Sequence, residues 1–135
     1  MEVYLDTAYV HLTLRNGILI GTYKKDLQID LPIAREIVRS RIDFTRGKTY
    51  PALIYNKGII SIDKASRDFF ASEEGILGLK AAAIVLDSPF STFLGNFFLL
   101  VNKTSIPVKI FSNDRQGFNW LEKFVSAEIK AECFG

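Results

Sequence analysis

The sequence predicts an α/β domain with a mixed sheet of about five strands, an N-terminal β-hairpin and about four helices. Three observations support this fold class. An Asn16-Gly17 pair separates two β-prone segments near the N-terminus. Farther along the chain, β-prone segments alternate with segments of helical periodicity, which predicts parallel strands joined by right-handed crossovers. Residues 81–86 form a continuous apolar run, which is typical of a strand that is covered on both faces.

The hairpin is predicted between residues 9 and 23. Apolar residues alternate with polar ones in Tyr9–Arg15, and a second β-prone run extends over Ile18–Tyr23. Both residues of an Asn-Gly pair adopt positive φ readily, so the pair favours a two-residue turn between these strands. We therefore expect an antiparallel pair at one edge of the sheet.

Capping residues mark the starts of the first two predicted helices. Asp30 has the side chain of an N-cap, and Pro32 falls in the first turn, where its missing N–H costs little. Gly47 is expected to end this helix. Asp63 is the expected N-cap of a second helix, which extends through Phe70. The buried stripe of the first helix is predicted to contain Ile33, Ala34, Ile37 and Val38.

The second half of the chain continues the alternation. Short strands are predicted over Pro51–Tyr55 and Pro107–Phe111. A third helix is expected over Ser88–Val101, with a serine N-cap followed by proline. Asn113 with Gln116 three residues later is typical of the start of a fourth helix. The apolar face of this fourth helix is predicted to contain Phe118, Leu121, Val125 and Ile129.

Length and composition indicate one domain that spans residues 1–135, with a core at about 9–130. Hydrophobic residues make up 48% of the chain and its net charge is +2, which excludes disorder and gives no strong field toward nucleic acid. The single cysteine, Cys133, fits a reducing compartment. The N-terminus lacks a secretory pattern, and Phe90–Val101 is too short to span a bilayer. We expect a cytoplasmic protein with no integral membrane segment and no nucleic-acid partner.

Eight short motifs lie along the chain between residues 14 and 121. They are Leu14-Arg15-Asn16-Gly17-Ile18, Ala34-Arg35-Glu36-Ile37, Lys48-Thr49-Tyr50-Pro51-Ala52-Leu53-Ile54, Ile62-Asp63-Lys64-Ala65-Ser66-Arg67, Lys80-Ala81-Ala82-Ala83, Gly95-Asn96-Phe97-Phe98, Pro107-Val108-Lys109-Ile110-Phe111 and Trp120-Leu121. The order of elements resembles the STAS domain of anti-sigma-factor antagonists and sulfate-transporter tails. The motifs are more similar to those of uncharacterised bacterial STAS-like proteins, many of them from Bacteroidetes. This resemblance, over roughly residues 10–125, implies a SpoIIAA-like fold and no known enzyme activity or cofactor.

One segment departs from the antagonist pattern. The resemblance places a phosphorylatable serine, within an Asp-Ser or Ser-Ser pair, after the third strand and at the start of a helix. Residues 56–63 contain no such pair, and the nearest hydroxyl groups belong to Ser61 and Ser66. These two serines are the candidate phosphosites. The alternative is that Ser61 is a residue of a short strand and Ser66 a residue of the first helical turn.

No catalytic or metal-binding constellation stands out in the sequence. His11 is the only histidine, and its alternation with apolar neighbours places it on the outer face of the sheet or in solvent. No Gly-x-Ser-x-Gly motif supplies a nucleophile for a triad. One histidine and one cysteine fall short of a zinc site, and glycine-rich phosphate-binding loops are missing. The sequence predicts a protein that is not an enzyme and that has no cofactor or metal.

Charged residues leave two alternatives open. Asp63 and Asp87 lie near strand ends, where they form an acid/base pair only if they are close in space. A role as helix and turn caps is the simpler interpretation of both. A basic cluster in and after the first helix suits an anionic headgroup or an acidic partner, although a solvated helix face is favoured. The cluster contains Arg35, Arg39, Arg41, Arg46 and Lys48.

The predicted function is a regulatory or protein-binding module that recognises an unknown protein. Its recognition surface is expected in the loops after the strands and at the adjoining helix starts, whose N–H groups suit a carboxylate or phosphate. The candidate binding residues are Asn56, Lys57, Ser61, Asp63, Asp87 and Ser88. Trp120 and Leu99 lie off the apolar faces of their helices and are candidates for a homodimer interface. Trp120 has a second interpretation, in which it covers the edge of the sheet.

The alternative function is a carrier of a lipid or another small apolar ligand. STAS-like folds resemble the CRAL-TRIO lipid-binding fold, and several phenylalanines could line an apolar pocket. These are Phe69, Phe70, Phe90, Phe93 and Phe97. A dry core in which the rings pack against one another is the competing interpretation.

Overall fold

The described part of the chain forms two sheets and three α-helices. The structure, a computed structural model, describes residues 3–56, 59–86 and 103–125. The strands are β1 (Tyr4–Asp6), β2 (Val10–Arg15), β3 (Ile18–Tyr23), β4 (Leu27–Ile29), β5 (Tyr50–Asn56), β6 (Ile59–Ile62), β7 (Leu79–Leu86) and β8 (Val108–Phe111). The helices are α1 (Leu31–Thr45), α2 (Lys64–Ala71) and α3 (Asp114–Leu121), and a 3₁₀ turn follows at Glu122–Phe124. The main sheet has the order β1-β2-β3-β5-β7-β8, and β4 and β6 form a second sheet.

The predicted hairpin is confirmed. β2 and β3 pair antiparallel from Val10 opposite Tyr23 to Arg15 opposite Ile18. Asn16 and Gly17 connect them with φ of 52° and 79°, the positive values that a two-residue hairpin turn requires. The short strand β1 adds a third antiparallel strand outside the hairpin. The main sheet therefore has six strands, where the sequence predicted about five.

The parallel half of the sheet is formed by β3, β5, β7 and β8. All six residues of β7 from Ala81 to Leu86 are buried, which confirms a strand covered on both faces. Pro51 is fully buried in β5, and the pairing with β7 shifts register between Tyr50 and Ala52. Proline has no N–H for the ladder, so an irregularity at this position is expected.

Local signals set the limits of α1. Asp30 caps the helix by accepting a hydrogen bond from the Ile33 N–H, and proline occupies the first turn. Arg46 and Gly47 then take left-handed backbone conformations, with φ of 54° and 75°, and end the helix as predicted. The helix buries Ala34, Ile37 and Val38 of the predicted stripe together with Thr45.

The two faces of the main sheet carry separate apolar clusters. Along β7, Ala82, Ile84 and Leu86 belong to the cluster that contains Ala34 and Ile37 of α1. The alternate residues of the strand belong to the cluster that contains Leu121 of α3, because successive side chains of a strand point to opposite faces. We call these sides the α1/α2 face and the α3 face.

The fourth predicted helix is shorter than expected. Asn113 caps it by accepting from the Gln116 N–H, as predicted, but α3 ends at Leu121. Val125 is buried as predicted, yet its backbone is extended, with ψ of 131°, so the helical stripe does not reach it. Ile129 and the predicted helix Ser88–Val101 lie outside the described residues. The described ranges therefore hold three α-helices, where about four were predicted for the whole chain.

Candidate functional site

The starts of α1 and α2 lie side by side because each helix follows a strand of the small sheet. β4 and β6 pair in parallel, with Ile29 opposite Ile62. The Asp63 N–H also donates to the Ile29 carbonyl oxygen at 3.2 Å, which ties the second helix start to the first strand. We call the exposed residues at this position the helix-start surface: Gln28, Asp30, Ser61, Asp63 and Lys64.

Both helix starts are capped by their own aspartates. The Asp30 carboxylate accepts a hydrogen bond from the Ile33 N–H at 3.1 Å, and Asp63 accepts one from the Ser66 N–H at 2.8 Å. Side-chain and backbone hydrogen bonds from Ser66 hold the pKa of Asp63 below its ordinary value. Because these carboxylates already bind first-turn N–H groups and add negative charge, the geometry disfavours the anionic ligand that the sequence suggested here.

The two candidate phosphosites differ in exposure. Ser61 is exposed in β6, opposite Gln28 of β4. Ser66 is 0% exposed, and its hydroxyl donates to the Ile29 carbonyl oxygen at 3.4 Å. A kinase must bring the hydroxyl group into its own active site, so Ser61 is the accessible one of the two in this structure.

The other candidate binding residues are only partly described. Asn56 ends β5 and is buried, and the pairing places it opposite Leu86 at the end of β7. The carboxyl ends of these parallel strands therefore meet at one edge of the sheet. Lys57, Asp87, Ser88 and Leu99 lie outside the described residues. A pairing of Asp63 with Asp87 consequently stays a prediction.

A small apolar cavity lies on the α1/α2 face of the main sheet. Its volume is about 60 Å³, and a cavity of about 30 Å³ is adjacent to it. Both cavities are lined by Tyr23, Arg41, Ile54 and Leu79. Pockets for drug-sized ligands usually measure about 300–1,000 Å³, so neither of these is large enough for a lipid.

The phenylalanines of the carrier hypothesis do not share one described pocket. Phe70 lines the larger cavity. Phe69 instead lies beneath Arg35, whose guanidinium carbon is 5.3 Å from the centre of the Phe69 ring. Arg39 and Glu74 line the same groove. Phe90, Phe93 and Phe97 lie outside the described residues.

Arg41 is half-buried against this face, whereas the other members of the predicted basic cluster are exposed. Its Nη2 donates to the carbonyl oxygens of Gly75 at 2.8 Å and Leu77 at 3.0 Å. These bonds hold the turn between α2 and β7 against α1. Burial lowers the pKa of the Arg41 guanidinium and raises that of the neighbouring Tyr23 hydroxyl.

Trp120 lies beside the edge strand β8 on the α3 face. It is half-buried, and its ring centre is 5.8 Å from that of Phe111 and 5.0 Å from that of Phe124. The ammonium groups of Lys109 and Lys123 lie 5.7 and 5.6 Å from the indole. The indole thus covers the sheet edge with part of its surface. Self-association through the remaining part stays a prediction.

Titratable side chains near the N-terminus form a surface cluster. The Asp6 carboxylate lies 2.6 Å from Lys24 Nζ and 3.2 Å from His11 Nδ1. The hydrogen bonds from Lys24 and His11 lower the pKa of Asp6. Within residues 3–56, 59–86 and 103–125, no group of three or more His, Cys, Asp and Glu side chains is arranged to hold a metal ion.

The family described as Domain of unknown function (DUF7793) matches residues 12–125. The chain belongs to this family. No curated protein matches the chain. The matched segment begins in β2 and ends just after the 3₁₀ turn, so it includes the helix-start surface and the larger cavity.

A solved structure supports the fold of this DUF7793 member. The chain is similar to an uncharacterised protein of the DUF3478 family with a SpoIIAA-like fold from Shewanella loihica PV-4. The TM-score is 0.52 at 15% identity, and the match covers 90% of this chain and 92% of the other. This likeness shows a SpoIIAA-like α/β fold. Among the described residues, no helix is both long enough and apolar enough to cross a membrane.

Residue type alone does not predict the cavity residues. A cationic residue such as Arg41 fits a solvated cluster, yet Arg41 lies three residues after Val38 and four before Thr45, two buried positions of α1. Helical spacing therefore contained the signal. Tyr23 is predicted only as the last residue of a strand, and no local pattern in the sequence shows that it lies next to Arg41.

Proposed function

We propose that this DUF7793 member is a non-enzymatic regulatory module that binds another protein through the helix-start surface. The observation that carries the proposal is the parallel pairing of β4 with β6, which presents Ser61 and the two capping aspartates on one exposed surface. The resemblance to anti-sigma-factor antagonists supports the proposal, because it implies a phosphorylatable serine after the third strand, at the start of a helix.

The rigidity of this surface supports a role in binding. Hydrogen bonds from Asp63 N and Ser66 Oγ both reach the Ile29 carbonyl oxygen, so backbone segments from distant parts of the chain are locked together. A surface that is already ordered loses little conformational entropy when a partner docks. Its aspartates favour a partner with a basic contact surface.

Three described carboxyl groups have a shifted pKa, and none of the three has the electrostatics of a general acid. Asp6, Asp63 and Asp68 all have a pKa below the ordinary value, and in each case hydrogen-bonding partners stabilise the charged form at the surface. A general acid at neutral pH needs the opposite shift, which burial in an apolar cleft produces. These three carboxylates therefore act as caps and ion-pair partners.

The experiment that tests the proposal is affinity capture from a lysate of the source organism with quantitative mass spectrometry. Wild-type protein should enrich one specific partner, and Ser61→Arg should lose it, because the substitution adds bulk and positive charge to the helix-start surface. Thr49→Arg is the matched control, since Thr49 is exposed and follows the end of α1, away from both helix starts. Circular dichroism verifies that both variants are folded.

Two outcomes would contradict the protein-binding proposal. In the first, Ser61→Arg captures the same partner as the wild type. In the second, native mass spectrometry of the purified chain reveals a retained lipid while no partner is enriched, which would favour the carrier function instead.

A further inference from the structure

The larger cavity of the α1/α2 face combines apolar walls with two guanidinium groups. Its apolar lining includes Ile54, Phe70 and Ile84, and its cationic lining is Arg41 and Arg67. The Arg67 Nη1 donates to the Ile62 carbonyl oxygen at 2.7 Å. Neither guanidinium forms an ion pair with any residue in the described part of the chain.

Arg41 retains hydrogen-bonding capacity after its structural contacts are counted. A guanidinium has five N–H donors, and Arg41 uses two of them, both on Nη2, for the carbonyl oxygens of Gly75 and Leu77. Carbonyl groups satisfy donors but do not neutralise charge. A cation in a poorly solvated position is stabilised strongly by an anion, because its own hydration has been lost.

Tyr23 supplies a third polar group beside this cation. Its hydroxyl makes no hydrogen bond to another described residue. Among the described residues, every polar side-chain atom that is buried from solvent has a hydrogen-bond partner. The hydroxyl therefore keeps some contact with solvent, and Tyr23 lines both cavities. Burial raises the pKa of Tyr23, so the group stays a neutral donor at physiological pH and cannot itself neutralise Arg41.

We propose that this cavity binds a small aliphatic carboxylate, with the carboxylate on Arg41 and the Tyr23 hydroxyl and the hydrocarbon part between Phe70 and the sheet. The fork of a guanidinium matches the two oxygens of a carboxylate. Cavities of roughly 150 Å³ hold a benzene molecule, so a volume of about 60 Å³ has room for about two or three non-hydrogen atoms, which limits the buried hydrocarbon part to about two or three carbons. The carboxylate then lies toward the adjacent cavity, which Arg41 and Tyr23 also line. The apolar walls disfavour a fully hydrated anion such as phosphate. No residue of the helix-start surface lines either cavity.

Amide NMR titration of the full chain with sodium propionate tests the proposal, with sodium chloride at the same ionic strength as the blank. We expect saturable shifts in residues around the cavity. n-Propanol, which has the same length without the charge, and inorganic phosphate should give weaker shifts. Tyr23→Phe removes one hydrogen bond to the anion without changing the ring, and we expect it to weaken propionate binding about tenfold.

Tyr9→Phe is the matched control, because Tyr9 packs against the same apolar cluster but lines neither cavity. It should bind propionate like the wild type. Three results would overturn the proposal: shifts that do not saturate with propionate, equal or tighter binding of n-propanol or phosphate, or an equal effect of the two tyrosine substitutions.

Discussion

Gly21 lies in the middle of β3, beside the smaller cavity of the α1/α2 face. A β-carbon at this position would lie 3.5 Å from Leu12 Cδ2 and 3.9 Å from Val10 Cγ2, which are ordinary contact distances. Glycine within a strand costs stability because it loses more backbone entropy on folding than other residues. The residue is therefore retained at a site that has room for a methyl group.

We predict that Gly21→Ala stabilises the protein by about 0.5–1 kcal/mol, because it restricts the unfolded chain and adds apolar contacts. Urea unfolding measures the difference. Gly75→Ala is the matched control, and it should destabilise the protein. Its β-carbon would collide with the Phe69 carbonyl oxygen and lie 2.8 Å from Phe70 Cα, so we expect a loss of about 1–3 kcal/mol. A loss of stability in Gly21→Ala would contradict this account of β3.

Tyr55 has a pKa that differs from that of an ordinary tyrosine. Its hydroxyl donates to Asp114 Oδ2 at 2.7 Å, and burial together with this hydrogen bond raises its pKa to about 12. The folded state keeps the proton that the unfolded state releases near pH 10, so the contribution to stability is complete below about 10 and is lost as pH rises toward 12.

We predict that one phenolate of the wild type titrates near pH 12, and that this component is absent in Tyr55→Phe. Ultraviolet absorbance of the phenolate measures the titration. Asp114→Asn keeps the tyrosine and removes the negative charge, so it should shift the same component to lower pH. An unchanged titration in Asp114→Asn would show that the negative charge of Asp114 does not contribute to the shift.

At the scale of elements, the sequence predicted those segments whose signals are local. The hairpin has its Asn-Gly turn, and all three described α-helices begin at the predicted residues Asp30, Asp63 and Asn113. Each of these signals acts within three or four residues. The same reasoning assigns Ser61 and Asp63 to a candidate binding surface, and both residues are exposed.

The missed elements depend on partners that are distant in the chain. β1 and β4 have three residues each, too few for a recognisable alternation, and they exist because β2 and β6 pair with them. The burial of Arg41 likewise depends on the carbonyl groups of Gly75 and Leu77, more than thirty residues later. Sequence patterns describe a segment and its immediate neighbours, so tertiary partners of this kind lie beyond them.

The end of α2 offers a pH-dependent test of element packing. Asp68 accepts hydrogen bonds from Lys103 Nζ and Lys64 Nζ, both at 2.8 Å, and Lys103 connects α2 to the segment that precedes β8. The bond from Lys103, followed by that from Lys64, lowers the pKa of Asp68 to about 2. A depressed carboxyl pKa stabilises the folded state above the ordinary value of 3.8, and the effect is lost as pH falls toward 2.

We predict that the melting temperature of the wild type falls more steeply below pH 4 than that of Asp68→Asn, because the amide has no proton to gain. Differential scanning calorimetry at a series of pH values gives the comparison. Asp43→Asn is the control, since Asp43 is exposed on α1 and forms no ion pair with a described residue. It should follow the wild-type curve, and parallel curves for all three proteins would contradict the role of Asp68.

For the molecule as a whole, the arrangement of the core bears on whether the chain is one domain. The α1/α2 face and the α3 face contain different residues, but both use the same strands. Leu53 of β5 is fully buried on the α3 face. Its neighbour Ala52 pairs with β7, and these two strands support both faces. Because both clusters pack on the same strands, unfolding of the sheet would expose both clusters at once. The two faces should therefore unfold together.

We therefore predict a single unfolding transition in calorimetry, with equal van't Hoff and calorimetric enthalpies. Leu53→Ala on the α3 face and Ile37→Ala on the α1/α2 face should each lower the stability of this one transition by about 2–5 kcal/mol, since each opens a cavity in a buried cluster. Thr49→Ala, at an exposed position, is the control and should change stability little. Two separable transitions, with each variant shifting only one of them, would mean that the faces are independent units and that the single-domain prediction is wrong.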